Sequence, residues 1–452
     1  MGTFMSTLDS SIVNISLPTI SNFFGVAFST VAWVPLAYLL TTTSLLLPFG
    51  RTADIVGRRS VYIFGFFIFT TGSALCVVSS SILQLILSRG LQGVGAAMLM
   101  SCSPALITHA FPSTQRGKAL GILGTIVAAG LTMGPPLGGF LVDHLGWRSI
   151  FYINIPIGLL GMGFGYMILK KDSSEPLKHK FDYKGAIFLV ISLVLLLLAL
   201  DNFQKLGFKS VSMQWLLAGF LFFGTLFLTN ETKVNHPLIN LNLFRHRLFA
   251  LANLSALVNF ICLLSVTFLM PFYLERVLGA TTSQVGIILI TVPLCSSVVA
   301  PLSGSLSDKI GSRFLSSFGL FWAGVSLFSL IGLKADSSYA DVIFRLIILG
   351  VGAGMFSSPN TSGIMGSVSG KNLGVAAGVL ATMRNLGMGI GVALTSSIFT
   401  SRNAYHMQKL SPEALGSFDF NKISFVTSFH DVYWVTGSIC IIGIFLSGMR
   451  GK

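Results

Sequence analysis

Charged residues are scarce in this chain: they make up 10% of its 452 residues, and only 15 of these residues are Asp or Glu. Soluble domains carry about 25% charged residues, so this composition excludes a soluble enzyme, a disordered chain and a fibrous protein. Hydrophobic residues reach 53%, and the mean hydropathy is +0.80. We therefore expect a protein that crosses a lipid bilayer many times.

Cysteine is also scarce, and it is not arranged for disulfide or metal chemistry. The five cysteines are scattered inside apolar segments without a Cys-x-x-Cys pair, and the seven histidines lie at segment ends or in loops. We expect no disulfide framework, no metal site and no cofactor. The net charge of +14 would indicate a nucleic-acid partner in a soluble protein. Here the basic residues lie in short loops between apolar runs, so we expect no such partner.

The apolar runs are continuous and about 20 residues long, which predicts membrane helices and not the strands of a barrel. We predict an all-α polytopic membrane protein with fourteen transmembrane helices. The predicted ranges are 3–23, 31–50, 61–79, 82–108, 117–141, 149–169, 184–201, 213–230, 248–272, 283–304, 315–333, 341–366, 374–399 and 430–449.

The positions of Lys and Arg predict the topology. If the N-terminus is cytoplasmic, eighteen of the 29 basic residues fall in inside segments and eight in outside segments. Basic residues favour the cytoplasmic side of a membrane. We therefore expect a multi-pass protein of the cell membrane with both termini in the cytoplasm.

The sequence contains an internal repeat. Gly, Asp, Gly and Arg recur with a fixed offset of 254 residues, once in Gly50–Arg59 and once in Gly304–Arg313. This duplication predicts two six-helix bundles, residues 1–170 and 247–452, separated by two inserted helices in 171–246. Two similar halves indicate a transporter that rocks about a central site. A duplication retained for stability alone is the alternative.

The repeated loop carries the residues of a conformational gate. Its glycines allow a tight turn, and Asp54 can accept hydrogen bonds from a neighbouring helix N-terminus or from Arg58. Such a contact can hold one conformation and release another. Arginines that serve only the membrane topology are the alternative. The predicted gating residues are Gly50, Asp54, Gly57, Arg58, Asp308 and Arg313.

Charges inside the apolar segments predict the functional site. Arg89 lies deep enough in the fourth span to mark a functional residue, unless it extends to the membrane surface. The carboxylate clearly inside a span is that of Asp9. A proton, Arg89 and a cationic cargo could compete for this carboxylate at one site. The alternative is that Asp9 is simply hydrated at the start of the helix. Arg384 could meet an anion, helix carbonyls or Asp9. The predicted coupling and substrate residues are Asp9, Asn14, Arg89, Gln92 and Arg384.

The fifth span combines glycines with two adjacent prolines. Glycines four residues apart permit close helix packing, and prolines interrupt the helical hydrogen bonds and favour a kink. A plain packing face is the alternative. The predicted kink and packing residues are Gly130, Gly134, Pro135, Pro136, Gly138 and Gly139.

These motifs resemble those of the fourteen-span drug:proton antiporters of the major facilitator superfamily. The similar segments are Leu8–Pro18, Gly50–Arg59, Leu87–Gly93, Gly130–Gly139 and Trp147–Pro156. The resemblance implies the major facilitator fold and proton-driven export of lipophilic, often cationic, compounds. Spans 10 and 13 contain no acid, which makes dications less suitable cargo than monocations, neutral compounds or anions.

We therefore expect a carrier and not an enzyme: a proton-coupled secondary transporter that exports lipophilic, cationic or neutral, drugs or metabolites by alternating access. An uptake carrier on the same fold is one alternative, which Gly134-Pro135 disfavours, and a non-transporting membrane sensor is another. The expected partners are a small-molecule substrate, protons and the lipid bilayer. We expect a monomer, with accessory export proteins as an open alternative.

Overall fold

The computed structural model describes residues 1–110, 116–169, 182–206, 210–234, 238, 241–369, 373–409 and 417–450. Within these ranges the chain is helical and contains no strand. The helices are α1 (Gly2–Phe24), α2 (Phe28–Val31), α3 (Trp33–Val56), α4 (Arg58–Val78), α5 (Ile82–Ala110), α6 (Arg116–Leu145), α7 (Ser149–Tyr152), α8 (Asn154–Ile168), α9 (Tyr183–Leu206), α10 (Val211–Lys233), α11 (Arg247–Arg276), α12 (Thr282–Leu289), α13 (Thr291–Ile310), α14 (Ser312–Leu330), α15 (Tyr339–Gly366), α16 (Leu373–Lys409) and α17 (Ser417–Gly448). A 3₁₀ helix, Leu241–Arg245, precedes α11.

The prediction of an all-α polytopic membrane protein is confirmed. Thirteen helical segments of the described chain are long and apolar enough to cross a membrane. Helix α1 is not among these segments, but it corresponds to the first of the fourteen predicted spans. Its 23 residues extend about 35 Å at 1.5 Å per residue. Most of its side chains are buried against other helices, so their polar groups face protein and not lipid.

Three of the spans consist of two consecutive helices. The breaks lie at Ala32 between α2 and α3, at Ile153 between α7 and α8, and at Ile290 between α12 and α13. In each case a proline is the third residue of the second helix, namely Pro35, Pro156 and Pro293. A proline has no amide hydrogen and is tolerated in the first turn of a helix. The helix that begins after each break therefore holds its proline where no amide hydrogen is needed.

The two halves of the chain repeat the same packing. In the first half α1 packs on α6, α3 and α4 pack on α5, and α8 packs on α4; the corresponding pairs in the second half are α11 with α16, α13 and α14 with α15, and α17 with α14. Equivalent glycines make the close contacts: a Cβ on Gly95 of α5 would lie 2.4 Å from the backbone nitrogen of Phe69, and one on Gly352 of α15 would lie 2.6 Å from the backbone nitrogen of Ala323.

The inserted helices α9 and α10 pack on each other, and α9 also contacts both halves. Leu189 and Leu193 of α9 belong to an apolar cluster with Leu40 and Leu47 of α3 and Leu386 of α16. The inserted pair therefore covers one side of the junction between the bundles. The predicted domain boundary at residue 170 lies outside the described residues, and the boundary at 246 falls directly before α11.

The bundles meet closely at the end of the molecule opposite to the start of α1 and the end of α17. We call this contact the far-end seam. There the backbone nitrogen of Ser283 donates to Asp143 Oδ2 at 2.8 Å, and Arg276 Nη2 donates to Ser21 Oγ at 3.0 Å. At the start of α16, by contrast, a Cβ on Gly374 would meet no atom within 4 Å. The described conformation is thus closed at the far-end seam.

Candidate functional site

A buried polar cluster lies inside the first bundle, where α1, α4, α5 and α8 meet. We call it the Asp9 cluster; its members are Asp9, Ser73, Arg89, Gln92 and Asn154. Arg89 Nη1 donates to Asp9 Oδ2 at 2.5 Å. Gln92 Nε2 and Asn154 Nδ2 donate to Asp9 Oδ1 at 2.9 and 2.7 Å. Every member is at most 1% exposed, and both carboxylate oxygens have partners, as a buried charge requires.

The surroundings of Arg89 explain how a cation is held at this depth. Arg89 and Gln92 share one face of α5 because they are three residues apart, and Arg89 Nη1 also donates to Gln92 Oε1 at 2.5 Å. Arg89 Nε donates to the carbonyl oxygen of Val34 at 3.3 Å. The guanidinium carbon lies 4.2 Å from the centre of the Tyr38 ring, so a cation–π contact adds to the ion pair.

The structure corrects the prediction for Asn14, which does not join the Asp9 cluster. Asn14 follows Asp9 by five residues, so it lies about 140° further around the helix at 3.6 residues per turn. Its Oδ1 atom is buried without a hydrogen-bond partner in the described chain. Asn154 supplies the amide that Asn14 was expected to supply. The sequence feature that could have identified Asn154 is its position in Trp147–Pro156, one of the segments that resemble the antiporter family.

A small cavity lies between the two bundles, beside the Asp9 cluster. Its lining residues come from α1, α3, α5, α6 and α16 and are Ser6, Thr7, Ser10, Tyr38, Leu39, Thr42, Met100, Leu131, Arg384, Asn385 and Met388. Its free volume of about 20 Å³ admits little more than one water molecule, which needs about 10–15 Å³. The cavity is therefore nearly closed in this conformation.

The carboxylate of Asp9 does not line this cavity, which corrects the expectation that proton and cargo compete at one site. Tyr38 stands between them. Its ring packs on Arg89 and also forms part of the cavity wall, while its hydroxyl donates to the carbonyl oxygen of Ser6 at 2.9 Å. Any coupling between Asp9 and a molecule in the cavity must therefore pass through side chains such as Tyr38.

Arg384 is the charged residue of the cavity wall. Three partners were left open for it: an anion, helix carbonyls and Asp9. Within the described chain its guanidinium makes neither a hydrogen bond nor an ion pair, so the structure shows no contact with Asp9 or with a carbonyl. Asn385 beside it is also incompletely paired, because its Nδ2 atom is buried without a partner.

The glycines of the fifth span make the close contacts that their spacing predicts. Added Cβ atoms on Gly130, Gly134 and Gly138 would lie within 2.3–2.7 Å of side-chain atoms of α1. Gly139 faces the other bundle instead, where a Cβ would lie 2.5 Å from the carbonyl oxygen of Thr282. These glycines therefore allow α6 to pack closely on α1, and Gly139 also forms part of the far-end seam.

The adjacent prolines do not interrupt α6, which runs continuously from Arg116 to Leu145. Pro135 cannot donate to the carbonyl of Leu131 because it has no amide hydrogen. The hydroxyl of Ser11 in α1 donates to that carbonyl oxygen at 3.1 Å. The polar group released by Pro135 is thus satisfied by the neighbouring helix, and the role of Pro135 and Pro136 as a kink stays a prediction.

The two copies of the repeated loop share one backbone feature. Gly57 and Gly311 both separate consecutive helices and have φ angles of 110° and 91°, a conformation that side chains strongly disfavour. Gly50, by contrast, has space beside it, since a Cβ there would approach Ser101 only to 3.8 Å. The turn therefore depends on the second glycine of the motif.

The charged residues of the two loops are not equivalent. Arg58 Nη2 donates to Asp54 Oδ1 at 2.9 Å, across the turn between α3 and α4. In the second copy Asp308 and Arg313 form no ion pair in the described structure. Ser312, which cannot form an ion pair, occupies the place that Arg58 has in the first copy. The structure therefore does not bring Asp308 and Arg313 together.

We expect Asp54→Asn to change stability only slightly, because side chains that are 31–34% exposed form weak ion pairs worth about 0.2–1 kcal/mol. Asp308→Asn, which removes no ion pair, is the matched control. Thermal unfolding of both purified variants checks this. A loss of stability well above 1 kcal/mol for Asp54→Asn alone would mean that the loop contact is mainly structural and not a gate.

A further cation is buried just beyond α17, outside the membrane-spanning segments. Arg450 is 1% exposed, and its three guanidinium nitrogens have no hydrogen-bond partner in the described chain. Burial lowers the pKa of Arg450 to about 10, so it remains charged at neutral pH. Its guanidinium carbon lies 5.8 Å from the centre of the Phe356 ring, a contact that compensates part of the desolvation.

Known proteins are similar in sequence to this chain over most of its length. The chain is 36% identical to the riboflavin transporter RibZ of Clostridioides difficile (strain 630) over 447 residues, 99% of this chain and 95% of that protein. It is 33% identical to the multidrug resistance protein Stp of Mycobacterium tuberculosis over 402 residues, 89% of this chain and 74% of that protein.

A solved structure has the same fold. It is a bacterial homolog of the human lysosomal transporter Spinster in an inward-facing and occupied conformation, with a TM-score of 0.70, 16% identity and coverage of 99% of this chain and 94% of that one. The sequence also matches the Major Facilitator Superfamily over residues 1–392 and 252–449. With its duplicated bundles, central cavity and multi-pass topology, this chain belongs to the Major Facilitator Superfamily of membrane transporters.

Proposed function

We propose that this transporter exports lipophilic small molecules in exchange for protons, as the fourteen-span drug:proton antiporters do. The observation that carries the proposal is the Asp9 cluster: a fully buried carboxylate whose arginine partner packs on a wall residue of the cavity between the bundles. Ionisable groups buried in membrane helices are costly and mark ion and proton pathways. We further propose that the protein acts as a monomer.

In this mechanism the proton acts through Arg89. An ionised Asp9 holds the Arg89 guanidinium by an ion pair. Protonation removes the charge that holds it, so Arg89 is free to shift against the Tyr38 ring that it contacts. Because Tyr38 also forms part of the cavity wall, a shift of its ring changes the cavity. The proton at Asp9 and the cargo in the cavity thus both shift the equilibrium between two positions of the Tyr38 ring.

Alternating access then requires the far-end seam to open and close. The hydrogen bond from Ser283 to Asp143 and the contact between Gly139 and Thr282 cross from one bundle to the other, so they must break when the far end opens. We propose that the termini are cytoplasmic, on the basis of the Lys and Arg distribution. The described conformation is then closed to the outside.

Two relatives support different cargoes. The Stp protein of Mycobacterium tuberculosis is named a multidrug resistance protein, which supports drug export. RibZ is named a riboflavin transporter and matches this chain over nearly its whole length, so riboflavin carriage is a second candidate, which includes uptake. The cationic cargo implied by the sequence resemblance has less support, because the lining residues include Arg384 and no acid.

Transport in proteoliposomes tests this proposal. Vesicles containing the purified protein are made acidic inside and are offered ethidium, riboflavin or 1-anilinonaphthalene-8-sulfonate, which are cationic, neutral and anionic. We expect at least one dye to accumulate only while the pH gradient lasts, because protons leave as dye enters. Accumulation in vesicles made alkaline inside would instead favour proton-coupled uptake. Absence of gradient-driven movement of all three would contradict proton coupling.

A further inference from the structure

Among the residues that the structure describes, the guanidinium of Arg384 has no hydrogen-bond acceptor, although it lies between the two bundles. It contributes to the wall of the central cavity, and within the described chain it makes no hydrogen bond or ion pair. An arginine carries five donor hydrogens and stays charged in proteins. A cation at this depth in a membrane protein normally pairs with another group or with a ligand.

The charge balance around the cavity leaves this cation uncompensated. The lining residues include no Asp or Glu. The acid near the cavity, Asp9, already accepts from Arg89, Gln92 and Asn154, and the Tyr38 ring stands between it and the cavity. The Asp9 cluster is therefore electrically balanced within itself, and the cavity has a net positive wall.

The remaining walls suit an amphipathic molecule. One part of the lining offers hydroxyl groups, from residues such as Ser10 and Thr42, which can donate hydrogen bonds to an anionic group. Another part is apolar and includes Met100 and Met388. Methionine side chains are flexible and polarisable, so they can adapt to apolar groups of different shape.

We propose that the cavity, when it widens from the nearly closed conformation described above, binds lipophilic monoanions, whose charged group pairs with Arg384 and whose apolar body packs on the methionine side. This inference rests on the proposed function, since it takes the cavity as the transport site. It narrows that function to organic carboxylates and sulfonates, with neutral compounds as weaker cargo and cations as the weakest. A bidentate pair with a carboxylate is the geometry that an arginine offers best.

Binding measurements with three matched probes test the proposal. The probes are 1-naphthoate, 1-naphthamide and 1-naphthylmethylammonium, which share the ring system and differ in charge. Binding to the purified protein is measured by calorimetry without a pH gradient, so the result does not depend on transport. We expect naphthoate to bind at least tenfold more tightly than the ammonium probe, a difference of 1.4 kcal/mol.

The variants separate charge from folding. Arg384→Gln should weaken naphthoate binding by about 10- to 100-fold, the range expected for a lost charged hydrogen bond of about 1.5–3 kcal/mol. It should change naphthamide binding by less than about twofold, and this shows that the cavity is intact. Arg384→Lys should retain part of the preference. Arg345→Gln is the control, because Arg345 pairs with Asp341 on α15 and does not line the cavity.

The outcomes distinguish this inference from the function on which it rests. Equal binding of the three probes by the unmodified protein, or unchanged naphthoate binding in Arg384→Gln, would overturn the anion preference. Gradient-driven transport of riboflavin or ethidium in the same preparation would then leave proton coupling intact. Conversely, an anion preference that depends on Arg384, without any gradient-driven flux, would support the binding site and contradict the exchange mechanism.

Discussion

The Asp9→Asn variant is expected to lose all transport driven by a pH gradient while it remains folded. Asparagine has nearly the shape of aspartate and keeps one oxygen acceptor for the donors of the Asp9 cluster, but it cannot take up or release a proton. The carrier should therefore still exchange dye across the membrane without accumulating it. Flux in proteoliposomes with and without an imposed pH gradient measures both activities.

The Asp9→Leu variant tests how far folding depends on the ion pair between Asp9 and Arg89. It leaves Arg89, which is fully buried, without its carboxylate, and breaking a buried ion pair from one side costs about 3–5 kcal/mol. We expect this variant to unfold or to express poorly, whereas Asp9→Asn, which keeps the shape of the side chain and one acceptor oxygen, should lose less stability and remain folded. Gradient-driven accumulation in a well-folded Asp9→Asn protein at the unmodified level would remove Asp9 from the coupling mechanism.

The Gly139→Ala variant is expected to weaken the far-end seam. An added Cβ would lie 2.5 Å from the carbonyl oxygen of Thr282 and 3.0 Å from the Cα atom of Ser283, so backbone atoms of the other bundle would have to move. Overpacking of this kind costs about 1–3 kcal/mol. That cost shifts an equilibrium between two conformations by about 5- to 150-fold, here toward the conformation that is open at the far end.

Hydrogen exchange at the start of α12 measures this shift. The Ser283 amide donates to Asp143 across the seam, so its exchange should become faster in Gly139→Ala. Gly124→Ala is the matched control on the same helix, because a Cβ there meets no atom within 4 Å. Equal exchange rates in the two variants would show that Gly139 does not control the seam.

The sequence predicted the helices well because their apolar runs are long and because the residues that end each run lie directly beside it in the sequence. The prediction of fourteen spans, including the weakly apolar first one, corresponds to the helices of the structure. The breaks before Pro35, Pro156 and Pro293 were not predicted, since hydropathy does not resolve a change of helix within a span. Helix α16 extends to Lys409, ten residues beyond the predicted end, because the polar residues after 399 end the apolar run without ending the helix.

The site was only partly predictable, since it depends on contacts between helices that are distant in the sequence. The charge of Arg89 inside a span required a partner, and elimination left Asp9. The direction in which Asp9 points, into the first bundle and away from the cavity, depends on how α1 is rotated, which spacing within one helix does not determine. Tyr38 and Asn154 were missed for the same reason: neither is charged, and each is recognisable only once α3 and α8 are packed against α1.

Simultaneous measurement of dye and proton movement tests the central claim most directly. Vesicles without an imposed pH gradient receive a dye that they accumulate, and an internal pH indicator follows the protons. In the unmodified protein, dye that enters down its own concentration gradient should drive protons out and make the lumen alkaline, whereas in Asp9→Asn dye should enter without any change in pH. Dye entry without proton movement in the unmodified protein, or equal proton movement in both proteins, would contradict an exchange that depends on Asp9.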